Sequence, residues 1–190
     1  RVYMIDGCDG LASSMILISF AALLTLGVEG FSETIARMLM VFLSSLCVFL
    51  FFDFSTSNSL KTFLGDNGSL CLGFIVATSL INFSRSNALL DPSIVLWFVA
   101  IPIFDFCAVI ARRKILKRNI MLADRSHLHH LLLSKGLSHF QTTALISVVA
   151  VVLVVFGVFV TANHPSVSFW SFLALFLLYF SIRLFLDKTV

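Results

Sequence analysis

Six long apolar runs separated by short polar stretches constrain this chain more than any other feature. They fall at about residues 11–28, 35–54, 69–84, 92–111, 141–162 and 166–182. A helix needs roughly 20 mostly apolar residues to cross a bilayer, and each run approaches or meets that length. With 59% of its 190 residues apolar and 12% charged, the chain has too little polar surface to cover a soluble fold of this size. Membrane strands alternate apolar and polar side chains, and these runs do not. The expected fold is all-α, a polytopic bundle of about six transmembrane helices. The second run is the weakest, because it reaches full length only past Arg37, whose side chain must snorkel.

Lys and Arg set the orientation. Six spans place both ends on one side, and that side then carries 11 of the 13 basic residues, leaving Arg37 and Arg85 opposite. Residues 1–10, 55–68 and 112–140 and the C-terminus are therefore expected in the cytoplasm. The segments at 28–34, 85–91 and 163–165 face outward and are short. Residues 112–139 hold seven Lys/Arg against one acid, Asp124, and four of the five histidines. This loop carries +6 while the remainder carries −3, so a modest net charge hides a polarised molecule. A basic loop serves topology and lipid headgroups, and neither needs four histidines. Cys8, Cys47, Cys71 and Cys107 form no CxxC pair and read as reduced, structural residues. Nucleic acid is not expected as a partner. The bilayer is, and a homodimer is compatible with the pattern.

Three cytoplasmic features bear groups suited to chemistry. Asp6-Gly7-Cys8-Asp9-Gly10, just before the first span, puts two carboxylates three residues apart, with glycines that allow close backbone approach. The same residues also suit a polar turn capping the helix. In Phe63-Leu64-Gly65-Asp66-Asn67-Gly68-Ser69, Asp66 stands at a helix start, where amide groups and the dipole favour anions. The alternative is an Asn67-Gly68 turn with Ser69 as the cap. A carboxylate here also suits Mg²⁺, which binds through one or two carboxylates plus substrate phosphates. Arg112-Arg113 precede Asp124-Arg125-Ser126-His127-Leu128-His129-His130. On a helix Asp124, His127 and His130 share roughly one face. A site for a phosphate-bearing ligand, a zinc cluster and a solvated loop compete here. The arginine forks favour the first, and the lack of a nearby cysteine or a matching fourth ligand weighs against zinc. Asp105 lies within the fourth span, two turns before Arg112, and reads as a structural partner orienting that arginine.

The ordered set "MIDGCDGLA", "FLGDNGS", Asp105 with Arg112-Arg113, and "ADRSHLHHLL" resembles the C-terminal half of the polyprenyl-phosphate N-acetylhexosamine-1-phosphate transferases. The RR…DRxHxHHL loop is closest to the WecA-type branch, the undecaprenyl-phosphate GlcNAc-1-phosphate transferases, rather than the related MraY branch of peptidoglycan synthesis. The resemblance covers residues 1–190. It implies a bacterial cytoplasmic-membrane enzyme that transfers a sugar-1-phosphate from a UDP-N-acetylhexosamine to undecaprenyl phosphate and releases UMP. That is a first membrane step of cell-surface polysaccharide synthesis. It implies Mg²⁺, with Mn²⁺ as the substitute, and Asp66 as its ligand. It further implies Asp6, Asp9, Asp66 and His127 as catalytic residues, and Arg112, Arg113, Asp124, His127, His129 and His130 as the substrate-binding set. Two departures stand out. The family's paired aspartates lie in an N-terminal half not present here, and Tyr3 stands where the family usually has Asn. The 190 residues are thus expected to form half of a catalytic cleft and to be inactive alone. The rival readings are a transporter subunit, with Asp105 lining a path, and a non-catalytic membrane fragment or assembly partner.

Overall fold

The computed structural model describes residues 10–27, 33–55, 60–86, 91–115, 117 and 127–188. These residues form helices and turns, with no strand among them. The helices are α1 (Leu11–Gly27), α2 (Glu33–Asp53), α3 (Gly65–Ser86), α4 (Ile94–Phe98), α5 (Ala100–Ile115), α6 (Leu128–Ser134), α7 (His139–Asn163) and α8 (Pro165–Lys188). Four of them, α2, α3, α7 and α8, are long and apolar enough to cross a membrane. With 17 residues, α1 is shorter. All six apolar runs are helical, so the expected all-α membrane bundle is the one found. Arg37 does not end α2. The helix starts at Glu33, four residues earlier, and the two exposed side chains pair.

The fourth run differs from the expectation of one continuous span. It breaks at Val99 (φ −124, ψ 26) into α4 and α5. Pro102 supplies the reason. Proline has no N–H, so a helix running through it leaves the carbonyl of Phe98 without its donor. That carbonyl accepts instead from Ser19 Oγ of α1 at 2.8 Å. A buried carbonyl left without a donor would be costly, and the neighbouring helix satisfies it.

The core collects Phe20 and Leu23 of α1, Leu39 and Leu46 of α2, Leu80 and Phe83 of α3, Trp97 and Phe98 of α4, Phe104 of α5 and Phe172 of α8. Trp97 is fully buried, with Phe156 and Phe172 edge-on to its ring. Its Nε1 donates to Ser168 Oγ, which also meets Ser93 and Thr161. This hydroxyl network ties α4, α7 and α8 at one end of the bundle. Val148, Val152, Val155 and Phe159 on α7, and Trp170, Leu177 and Phe185 on α8, point outward. Such an apolar surface belongs in lipid.

The opposite end is fixed by three aromatic or glycine positions. Gly10 enters α1 with φ +71, and a Cβ there would lie 2.4 Å from the Phe54 ring. Phe54 in turn meets Phe140 edge-on, with centroids 5.6 Å apart. The start of α1, the end of α2 and the start of α7 therefore converge. Ser138 and Gln141 close a reciprocal capping box that starts α7 cleanly after α6.

Candidate functional site

At this convergent end a cavity of about 360 Å³ opens between α1, α3, α5 and α6. Its walls are apolar, among them Leu11, Met15, Val76 and Ile101, and its polar rim is Asp105, His127 and His129. Ser69 and Gly73 contribute the α3 side. The cavity thus lies between apolar side chains of α1 and α3 and the imidazoles of His127 and His129.

Asp105 is the hub of this rim. Oδ2 lies 2.8 Å from His127 Nδ1. Oδ1 accepts from the backbone N–H of Leu128 at 2.9 Å and from Tyr179 Oη at 3.1 Å. One carboxylate therefore links α5 to the first residue of α6 and to α8. The spacing along α5 pointed to Arg112 as its partner, whereas these three bonds run to α6 and α8. Only the folding of residues 127–134 back onto α5 creates this arrangement.

Of the expected helical face of Asp124, His127 and His130, the last two do not lie within one helix. His127 is extended (φ −67, ψ 154) and caps α6, which begins at Leu128. Asp124 lies outside the described residues. Although the helix starts after His127, the three imidazoles stay close together. His127 and His129 have nearly parallel rings 5.9 Å apart, and His129 and His130 are 4.2 Å apart. His129 is buried, and its Nε2 has no hydrogen-bond partner within the described structure. Burial, reinforced by His130 and His127 beside it, pulls its pKa down to about 4, with Asp105 acting the other way. His129 is thus a neutral, buried imidazole among the residues that line the cavity.

Asp66 sits in the first turn of α3, reached through Gly65 at φ +68. The left-handed glycine lets the chain turn sharply into the helix. Ser69 is not the cap of a later helix, as the Asn67-Gly68 turn reading had it. It lies one turn inside α3, and its hydroxyl donates to the Asp66 carbonyl at 3.0 Å. Asp66 is exposed, one turn beyond the α3 wall of the cavity. Arg112 and Arg113 occupy the last turn of α5, with Arg113 buried and both already engaged by other groups.

Among the described residues no group of three His, Cys, Asp or Glu stands close enough to share a metal. The zinc reading combined His127, His129 and His130 with Asp124, which lies outside the described residues. An open carboxylate such as Asp66 does fit Mg²⁺, which keeps several waters and takes few protein ligands. Asp6, Asp9 and Cys8 lie outside the described residues, as does Tyr3. Cys47, Cys71 and Cys107 are free thiols.

Two side chains packed near the site were missed from sequence. Tyr179 and Arg183 stand four residues apart on α8 and reach the Asp105 neighbourhood. Arg183 was read only as a topology charge. Its burial at 4% exposure marks it as part of the interior. The signal available was a tyrosine and an arginine at i, i+4 in a span otherwise poor in polar groups.

Fold and site together define a polytopic helical membrane protein with an apolar cavity that Asp105, His127 and His129 help to line. Residues 2–84 match the model of glycosyl transferase family 4. A probable undecaprenyl-phosphate N-acetylglucosaminyl 1-phosphate transferase of Bacillus subtilis is 34% identical over 76% of this chain and 40% of its own length. The undecaprenyl-phosphate alpha-N-acetylglucosaminyl 1-phosphate transferases of Yersinia pestis and Escherichia coli K12 are 30% and 31% identical over 93% of this chain, and over 49% and 48% of their own lengths. The resemblance read from the motifs is thereby borne out over most of the chain. The chain spans about half the length of these relatives. No solved structure gives a significant match.

Proposed function

We propose that the protein carrying this sequence transfers GlcNAc-1-phosphate from UDP-GlcNAc to undecaprenyl phosphate and releases UMP, at the cytoplasmic face of a bacterial inner membrane. The observation that carries this reading is the cavity. An apolar channel walled by α1 and α3 ends at His127, His129 and Asp105, which suits a substrate with a long hydrocarbon tail and a phosphate head. The names of the relatives point to the same acceptor. A transporter reading fares worse, because the rim polar groups gather at one end of the bundle.

Phosphoryl transfer asks the protein mainly for positioning and charge neutralisation. The stretches 1–10, 55–68 and 112–140 would supply the loops that do this. His127, and Arg112 with Arg113 at the end of α5, are suited to hold the diphosphate. Asp66 would hold Mg²⁺, whose charge offsets that of the transferred phosphate. Asp6 and Asp9, just before Gly10, would complete the nucleotide side.

The test uses membranes containing the complete protein that carries this sequence, with sugar-labelled UDP-GlcNAc and undecaprenyl phosphate. Label moving into the organic phase with stoichiometric UMP supports the reading. Its absence, with the protein shown to be folded, overturns it. Asp66→Asn should reduce transfer by about a hundredfold or more, the scale lost when a group that stabilises transition-state charge is removed. Full activity in that variant refutes the metal assignment.

A further inference from the structure

We propose that Asp105 is a positioning residue that keeps the proton of His127 on Nδ1, so that the histidine presents Nε2, and only Nε2, to the cavity. The idea rests on the transferase reading for its catalytic consequence and on geometry alone for its structural one. Asp105 Oδ2 is 2.8 Å from His127 Nδ1. A carboxylate can only accept, so Nδ1 must carry the hydrogen. The other carboxylate oxygen is fully used by Leu128 N–H and Tyr179 Oη. The bond from the backbone of Leu128, the residue next to His127, keeps the carboxylate beside the ring. His127 is extended at the helix cap, outside α6 itself, so its backbone does not fix the ring, and the contact with Asp105 does. His127 also lines the cavity, which leaves the Nε2 edge as the one available to a phosphate oxygen.

This arrangement explains a mostly buried acid in the apolar run at 92–111. A buried carboxylate is costly unless it is paired and hydrogen-bonded. Here it takes three donors from two other helical segments. Partners of this kind, one step removed from the group that meets the ligand, fix ring orientation and tautomer. The neighbouring His129 cannot substitute, because it is buried and makes no contact with Asp105 among the hydrogen bonds described.

Asp105→Asn tests the idea, with Tyr179→Phe as the control for a merely structural bond. In Asn the amide can still accept from Leu128 through its oxygen. The group facing His127 then becomes an NH₂ donor, which forces the proton from Nδ1 to Nε2. The chain is labelled with ¹⁵N-histidine in phospholipid nanodiscs at mildly alkaline pH, and the His127 signals are assigned by their loss in His127→Gln. The expected spectrum shows His127 protonated at Nδ1 in the unmodified chain and in Tyr179→Phe, and at Nε2 in Asp105→Asn. An Nε2-protonated His127 in the unmodified chain, or no change in a folded Asp105→Asn, overturns the proposal.

The second readout is turnover of UDP-GlcNAc by membranes containing the complete protein. Asp105→Asn should lower kcat by about 10–100-fold and leave KM within about twofold. Tyr179→Phe should leave both nearly unchanged. Equal losses in the two variants, or a loss confined to KM, refute the positioning role. An unmodified protein that turns over no UDP-GlcNAc counts against the transferase reading, and the tautomer spectrum then still decides the role of Asp105.

Discussion

Acidification should destabilise this protein through His129, and the size of the effect follows from its burial. In the unfolded chain the imidazole titrates near its ordinary value of 6.5, whereas in the fold its pKa falls to about 4. Between those values the unfolded chain binds a proton that the folded one refuses, so stability rises with pH through the window and falls on acidification. Above about pH 6.5 the residue is neutral in both states and contributes nothing to the pH dependence. At about 1.4 kcal/mol per pH unit, the penalty reaches about 2 kcal/mol near pH 5 and about 3 kcal/mol once the pH falls below about 4. The perturbation is His129→Gln, which fills similar space and cannot charge. Thermal unfolding in a neutral detergent, followed by circular dichroism, is compared at neutral pH and near pH 5 for both proteins. The unmodified chain should lose about 2 kcal/mol more than the variant over that interval. The rest of the chain is the same in both proteins and cancels in the difference. Equal acid sensitivity in the two, or greater sensitivity in the variant, refutes the picture of a buried neutral imidazole.

Further tests probe the scaffold and the site. In Gly157→Ala the new methyl would lie 2.1 Å from Trp97 Cγ. The indole is pinned by Ser168 and two phenylalanines, so α7 must move, and a loss of about 1–3 kcal/mol in thermal stability is expected. Ser19→Ala removes the hydroxyl that serves the Phe98 carbonyl at 2.8 Å. A buried acceptor left unmet costs about 1–3 kcal/mol, measurable by the same unfolding assay, and a variant as stable as the parent would refute the role given to Pro102. Asp66→Asn should abolish most sugar-phosphate transfer while leaving the far-ultraviolet helix signal intact, since its exposed side chain supports no packing. A matching collapse of helix content would instead make Asp66 structural.

Much of the architecture was legible because a bilayer demands so much of a sequence. Each of the six apolar runs became helical, since in lipid every backbone N–H and C=O must be paired within the segment. Asp66 was placed correctly at a helix start because Gly65 and the following apolar stretch fix that boundary locally. The motif order alone pointed to the relatives that the chain resembles over most of its length. Local patterns said less about groups that meet across space. The break at Val99 needed Ser19, 80 residues earlier, to serve a carbonyl that Pro102 leaves without a donor. The partnership of Asp105 depended on residues 127 and 128 folding back and on Tyr179 arriving from α8. Helical spacing offered Arg112 for Asp105 and a shared face for Asp124, His127 and His130. In the structure α6 starts at Leu128, which leaves His127 outside the helix that carries His130. The sequence by itself determined that this chain lives in a membrane as helices, with its basic and histidine-rich residues gathered in one loop. Tertiary structure alone decided which histidine is bonded, which is buried and which acid serves them, because hydrogen bonds and desolvation depend on neighbours that the chain brings together only when it folds.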